Sequence, residues 1–133
     1  MILLDTHVLL WLDCNDANLG PTCREAIQAA WQADGVAVSS LSFWEVAMLQ
    51  QRGRIVLAQP PEAWRRDWLQ AGLLELPLDG EIAVQATALA GFHPDPADRF
   101  ITATAQARGA SLVTADAAIL AWPDPLPRLD ARR

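Results

Sequence analysis

The chain contains no lysine; all ten of its basic residues are arginines. That absence removes mechanisms built on a lysine nucleophile, a Schiff base or a phosphate-loop lysine. Basic charge is scarce altogether, since sixteen acids leave a formal charge of −6, which argues against phosphate binding by bulk positive charge. Only two cysteines, Cys14 and Cys23, and two histidines, His7 and His93, are present. Neither a zinc site nor a disulfide framework is indicated, and both cysteines are expected to be packing residues. No apolar run approaches the roughly 20 residues of a membrane helix, and no basic segment leads an apolar stretch to a cleavage site at the N-terminus. No membrane association is expected, and the cytoplasm is the expected compartment.

What is present fits one compact domain spanning residues 1–133, long enough for a proper core and too short for two ordinary domains. The hydrophobic content of 52% and the six tryptophans suggest that some apolar surface belongs to an interface.

Short runs rich in Val, Leu and Ile at residues 2–4, 36–38, 73–76, 111–113 and 126–129 predict strands, the last an edge strand after the proline-dense "WPDPLP". Between them, helical spacing with start and stop signals predicts helices over 6–13, 21–33, 41–52, 61–70, 80–90, 96–108 and 117–121. Strands alternating with helices imply a mostly parallel sheet of about five strands covered on both faces, a three-layer α/β/α arrangement. In such a sheet ligands sit beyond the carboxyl ends of the strands, where strand order reverses.

Two strands end in the same way: "MILLD" runs into Asp5, and "SLVTAD" into Asp116. Each aspartate is explicable as a helix N-cap, but capping does not explain why both follow core strands. In "DPADR", Asp95 is expected as the N-cap, Pro96 as the first helical residue and Asp98 in the first turn, where a carboxylate favours the helix dipole and can still point into a cleft. Glu45 lies within "SLSFWEVAML", a helix apolar on almost every side and therefore expected to be buried; its carboxylate then needs a distant arginine or a metal. His93, in a loop before Pro94, is a candidate ligand but is more often solvated or bonded locally in such a place, and His7 is expected to pack beside the first helix or contact substrate.

If Asp5, Glu45, Asp98 and Asp116 converge at about 5 Å, each pair repels by about 3 kcal/mol at an effective dielectric near 20. Such a cluster must take up protons or cations. Oxygen donors suit hard divalent ions, and Mg²⁺ in particular accepts a few carboxylates together with water and substrate phosphate. An ion there would also let an acidic chain attract a phosphodiester.

The stretches "LLDTHVLLWL", "VSSLSFWEVAM", "DPADRFITATAQARG" and "LVTAD", in that order over most of the chain, resemble the PIN domain, and within it the VapC-type toxins of bacterial toxin–antitoxin pairs. The resemblance implies the three-layer fold and a Mg²⁺-dependent endoribonuclease, with Mn²⁺ as a substitute, in which metal-activated water attacks RNA in line. It implies that Asp5, Glu45, Asp98 and Asp116 form the acidic metal-holding quartet, with Thr6 and Thr114 as supporting hydroxyls. It further implies a homodimer and a protein antitoxin that inserts a basic segment into the acidic cleft. Two departures concern substrate contacts: "VAMLQQRGR" lacks the basic residue common after the Trp-Glu pair, and "HPDP" lacks one before Asp-Pro.

Rival readings fit less well. A phosphatase using Asp5 as nucleophile would want a second Asp where His7 stands, and a receiver-type switch would want a lysine. A catalytically weak PIN-like interaction module, its acids only capping helices, is separated from the nuclease by metal affinity.

Overall fold

The computed structural model describes all 133 residues. Five strands, β1 (Ile2–Leu4), β2 (Val36–Ser39), β3 (Leu74–Leu76), β4 (Ser111–Thr114) and β5 (Arg128–Asp130), form one sheet in the order β3-β2-β1-β4-β5. All four pairings are parallel. β1 is central, with Leu3 opposite both Ala37 of β2 and Leu112 of β4.

Alternation along these strands feeds two separate cores. Leu4, Val36, Val38 and Val113 face α1 (Thr6–Asp13), α2 (Pro21–Gln32), α3 (Ser40–Gln51) and α4 (Pro61–Ala71), which contribute Val8, Leu9, Ile27, Val46 and Trp64. Leu3, Ala37 and Leu112 face α6 (Pro96–Arg108) and α7 (Ala117–Ala121) through Ile101, Ala105 and Ile119. The short α5 (Gly80–Ala86) packs on the outside of α6 through Ile82, Ala86 and Ala103. The expected three-layer α/β/α architecture is what the chain adopts.

Several expectations need correction. The fifth helix ends at Ala86 rather than 90, because Arg99 Nη1 takes the Ala86 carbonyl at 3.0 Å. The last strand begins at Arg128, two residues late: Pro127 has no N–H to give a ladder, and only its carbonyl pairs, accepting from Leu112 N at 2.9 Å. Helix α3 is not buried all round; Ser42 and Val46 face inward while Trp44 is 59% exposed. Cys23 is buried as expected, but Cys14 is exposed. Of the six tryptophans only Trp44 is exposed; Trp31, Trp64 and Trp68 make a chain of edge-to-face contacts inside the first core.

The C-terminal residues close one end of the sheet. Gly20 N donates to Ala131 O at 2.9 Å and Cys23 N to Arg133 O at 3.0 Å, so the tail's carbonyls satisfy N–H groups at the start of α2 that no side chain caps. A Cβ on Gly20 would lie 2.0 Å from the Arg133 oxygen; the position demands the absence of a side chain.

Candidate functional site

The strand order makes β1 the point at which the chain, having wound outward through β2 and β3, returns to the other side with β4. This reversal opens a crevice beyond the carboxyl ends of β1 and β4. Asp5 and Asp116 both stand there, each capping the helix that follows: Asp5 Oδ1 accepts from Thr6 N at 2.8 Å and Asp116 Oδ1 from Ile119 N at 3.0 Å.

Asp5 is only 3% exposed. Its second oxygen accepts from Thr114 Oγ1 at 2.7 Å, and Thr114 Oγ1 accepts in turn from Asp116 N at 3.0 Å. One hydroxyl thus ties the two aspartates together. His7 braces the same corner: its Nε2 accepts from Ala115 N at 2.9 Å, which leaves the ring proton on Nδ1, facing Asp5 Oδ2 at 3.7 Å. The His7 ring also meets Trp11 edge to face, so His7 packs as the first of its two expected roles required.

Glu45 reaches the crevice from the N-terminal half of α3. No arginine pairs with it; its hydrogen-bond partner is the hydroxyl of Thr6, whose Oγ1 lies 2.5 Å from Glu45 Oε1 and 2.9 Å from Ser42 Oγ. A hydroxyl has one proton; given to the carboxylate, it leaves Thr6 to accept from Ser42. Thr6 and Thr114 therefore stand on either side of Asp5, one joined to Glu45 and the other to the Asp116 backbone.

Asp98 enters from the first turn of α6, whose N-cap is Asp95, accepting from Asp98 N at 3.3 Å. Burial, then the charges of Asp5, Asp95, Asp116 and Glu45 in that order, push the Asp98 carboxyl up to about 7. Burial also raises Glu45, against the lowering effect of the Thr6 hydrogen bond and with further raising by Asp5 and Asp95. The four expected site acids are therefore electrostatically coupled in one crevice.

His93 is the residue whose place the sequence did not disclose. Its Nε2 lies 3.2 Å from Asp98 Oδ2 and 4.0 Å from Asp116 Oδ1, so the ring faces the acids rather than solvent. The ring stacks on Phe92 at 4.6 Å, and the loop beneath is clamped by Arg99, which donates to the carbonyls of Ala86, Phe92 and His93 at 3.0, 2.8 and 3.0 Å.

No arginine forms an ion pair with the four site acids; Arg132, which comes near, donates to the Ala115 carbonyl at 2.9 Å. Arg99 is spent on carbonyls, and the arginine–carboxylate pairs, Arg65–Glu75 and Arg133–Asp130, lie elsewhere. His93, Asp98 and Asp116 each offer one ligand atom within 4.8 Å of the others. A donor set of carboxylates and one imidazole, unpaired with any fixed cation, fits a divalent ion.

The PIN domain pattern matches residues 2–122. Ribonuclease VapC22 of Mycobacterium tuberculosis is 35% identical over 127 residues, covering 95% of each chain. Among solved structures, a toxin–antitoxin complex from Klebsiella pneumoniae superposes with a TM-score of 0.67 at 24% identity over 98% of both chains. VapBC2 from Rickettsia felis, bound to a DNA fragment from its promoter, gives 0.68 at 17% identity, over 97% of this chain and 98% of that one. These two likenesses bear on the fold.

Proposed function

The chain belongs to the PIN-domain family, among the VapC ribonucleases, and from that premise we propose that it is a divalent-metal-dependent endoribonuclease acting as the toxin of a toxin–antitoxin pair. The observation that carries the reading is the acid cluster at the strand-order reversal, with Asp98 pushed up to about 7 and no arginine ion-paired to any of its four members. A cluster serving only to cap helices would gain nothing from crowding Asp98 against four other carboxylates.

We assign Asp98 and Asp116 to direct contact with the ion and Asp5 to the floor of the cleft, where Thr6 and Thr114 hold both its oxygens while spare lone pairs remain for a ligand. Glu45, held by Thr6, orients water at the mouth. Mg²⁺, or Mn²⁺ as its substitute, would be held by these acids, and would supply a water of lowered pKa and stabilisation of charge on the scissile phosphate. Phosphodiester hydrolysis would then join a water oxygen to phosphorus as the bond to the leaving ribose oxygen breaks, with a proton lost by the water and one gained by the departing oxygen. Asp98 holds a proton near neutral pH when the ion is absent and yields it on binding.

We read residues 1–133 as one PIN domain, working in the cytoplasm as a homodimer and restrained by a cognate antitoxin whose basic segment would neutralise the cleft. No helix is long and apolar enough to cross a membrane.

The test is cleavage of labelled single-stranded RNA with Mg²⁺, Mn²⁺ or EDTA, beside Asp5→Asn. Metal-dependent cutting that disappears in the variant is expected. Failure to cut with any ion, together with failure to bind Mn²⁺, would replace the nuclease by a PIN-like interaction module.

A further inference from the structure

Asp5, Glu45 and Asp116 each accept a hydrogen bond in the crevice, whereas one buried nitrogen there has no partner. His93 Nε2 is buried from solvent and makes no hydrogen bond. Its 3.2 Å approach to Asp98 Oδ2 is close enough for a charge contact but lacks the alignment of a hydrogen bond. A buried nitrogen without a partner is costly unless something else occupies its lone pair.

The spacing says what that could be. An octahedral ion with bonds of about 2.1 Å separates neighbouring ligand atoms by about 3.0 Å and opposite ones by about 4.2 Å. His93 Nε2 stands 3.2 Å from Asp98 Oδ2 and 4.0 Å from Asp116 Oδ1, and the three donors are mutually within 4.8 Å. The imidazole is also held in place. Phe92 stacks on its face, and Arg99 fixes the carbonyls of Phe92 and His93, so little ordering is left for binding to impose.

Resting on the metal-site reading above, we infer that His93 Nε2 is a direct ligand of the divalent ion, giving the site a nitrogen donor that makes it bind Mn²⁺ more tightly than Mg²⁺. Carboxylates and water serve both ions, whereas imidazole adds affinity for first-row transition ions and little for Mg²⁺. His7 is not an equivalent donor, because its Nε2 already accepts from Ala115 N and its Nδ1 faces Asp5.

The test uses the whole chain with Mn²⁺ as the probe, read by pulsed electron paramagnetic resonance for nitrogen coupled directly to the ion and by calorimetry for affinity. Wild type is expected to show the nitrogen coupling. His93→Gln is expected to lose it, with Mn²⁺ binding about tenfold weaker and Mg²⁺ binding changed less than about threefold. Since the chain has two histidines, His7→Gln gives a second assignment, independent of whether His93→Gln folds: coupling that persists there belongs to His93. Mn²⁺ bound without nitrogen coupling, or coupling retained in a folded His93→Gln, would overturn the inference and leave the metal site standing. No Mn²⁺ binding by wild type would overturn both.

Discussion

Thr114 donates its hydroxyl proton to Asp5 across 2.7 Å, joining residues 109 positions apart in sequence. The same oxygen accepts the N–H of Asp116, so the crevice depends on a group that is neither charged nor exposed. Thr114→Val should leave a buried carboxylate oxygen and a backbone N–H without partners, costing about 1–3 kcal/mol and slowing RNA cleavage by roughly 10- to 100-fold. Thr114→Ser should recover most of both. Urea unfolding beside cleavage kinetics measures the two effects; full activity in the valine variant would mean that Asp5 needs no such support.

Asp98 makes the site sensitive to pH near neutrality. Its carboxyl is raised from the ordinary 3.8 to about 7 by burial and by its acidic neighbours, so the folded protein holds a proton that the unfolded chain has released. The stability this contributes is complete below about pH 4 and is lost as pH rises through about 7. Metal binding has the opposite trend, since the proton must leave: Mn²⁺ affinity should fall by up to about tenfold per pH unit below 7. Calorimetric titrations from pH 5.5 to 8 give the slope, and Asp98→Asn should flatten it. A flat profile in wild type would place the titrating proton elsewhere.

Arg99 acts through the backbone. Its guanidinium fork meets three carbonyls, ending α5 at Ala86 and holding the Phe92–His93 loop. Arg99→Lys keeps the charge but cannot match three separated acceptors; a loss of about 2 kcal/mol is expected from bonds to a charged donor. Hydrogen exchange should quicken across residues 87–94 while the amides of β1 and β4 stay protected, a pattern that uniform destabilisation would not give.

Gly20 is required for space rather than for backbone freedom, since its φ of −73° is open to any residue. Gly20→Ala sets a methyl group against the Arg133 carbonyl and should cost about 1–3 kcal/mol through displacement of the tail. Thermal unfolding should register the loss while metal affinity remains at the wild-type value; a drop in affinity would reveal coupling between the tail and the crevice.

The legible parts of this molecule were those set by local chemistry. The runs ending in Asp5 and Thr114 identify β1 and β4 because strands buried on both faces read as continuous apolar residues, and Pro21, Pro61, Pro96 and Gly109 mark helix ends at the residues where the structure has them. The early end of α5 was hidden because the group that terminates it, Arg99, lies thirteen residues away. Leu126 is buried and apolar, which signals a strand where it only packs. Glu45 was noticed as a misplaced charge, but its partner Thr6 is 39 residues distant. His93 stood out only as one possible ligand beside a blander local role, because what decides between them is where the Arg99 clamp sets its loop, and nothing in "HPDP" encodes that position.

The central place of β1 also dictates when the crevice can exist. Asp5 is synthesised well before Asp98, Thr114 and Asp116, which follow roughly a hundred residues later, a delay of roughly 5–20 s at ordinary rates of synthesis. Until β4 arrives, β1 has a neighbour on one side only, and the contacts that assemble the acids are among the most distant in the chain and so the slowest to close. A nascent chain stopped before residue 111 carries Asp5, Glu45 and Asp98 but lacks Thr114, Asp116 and the crevice between β1 and β4. For a chain proposed to cut RNA, the order of synthesis therefore completes the acid cluster only when the last strands pair.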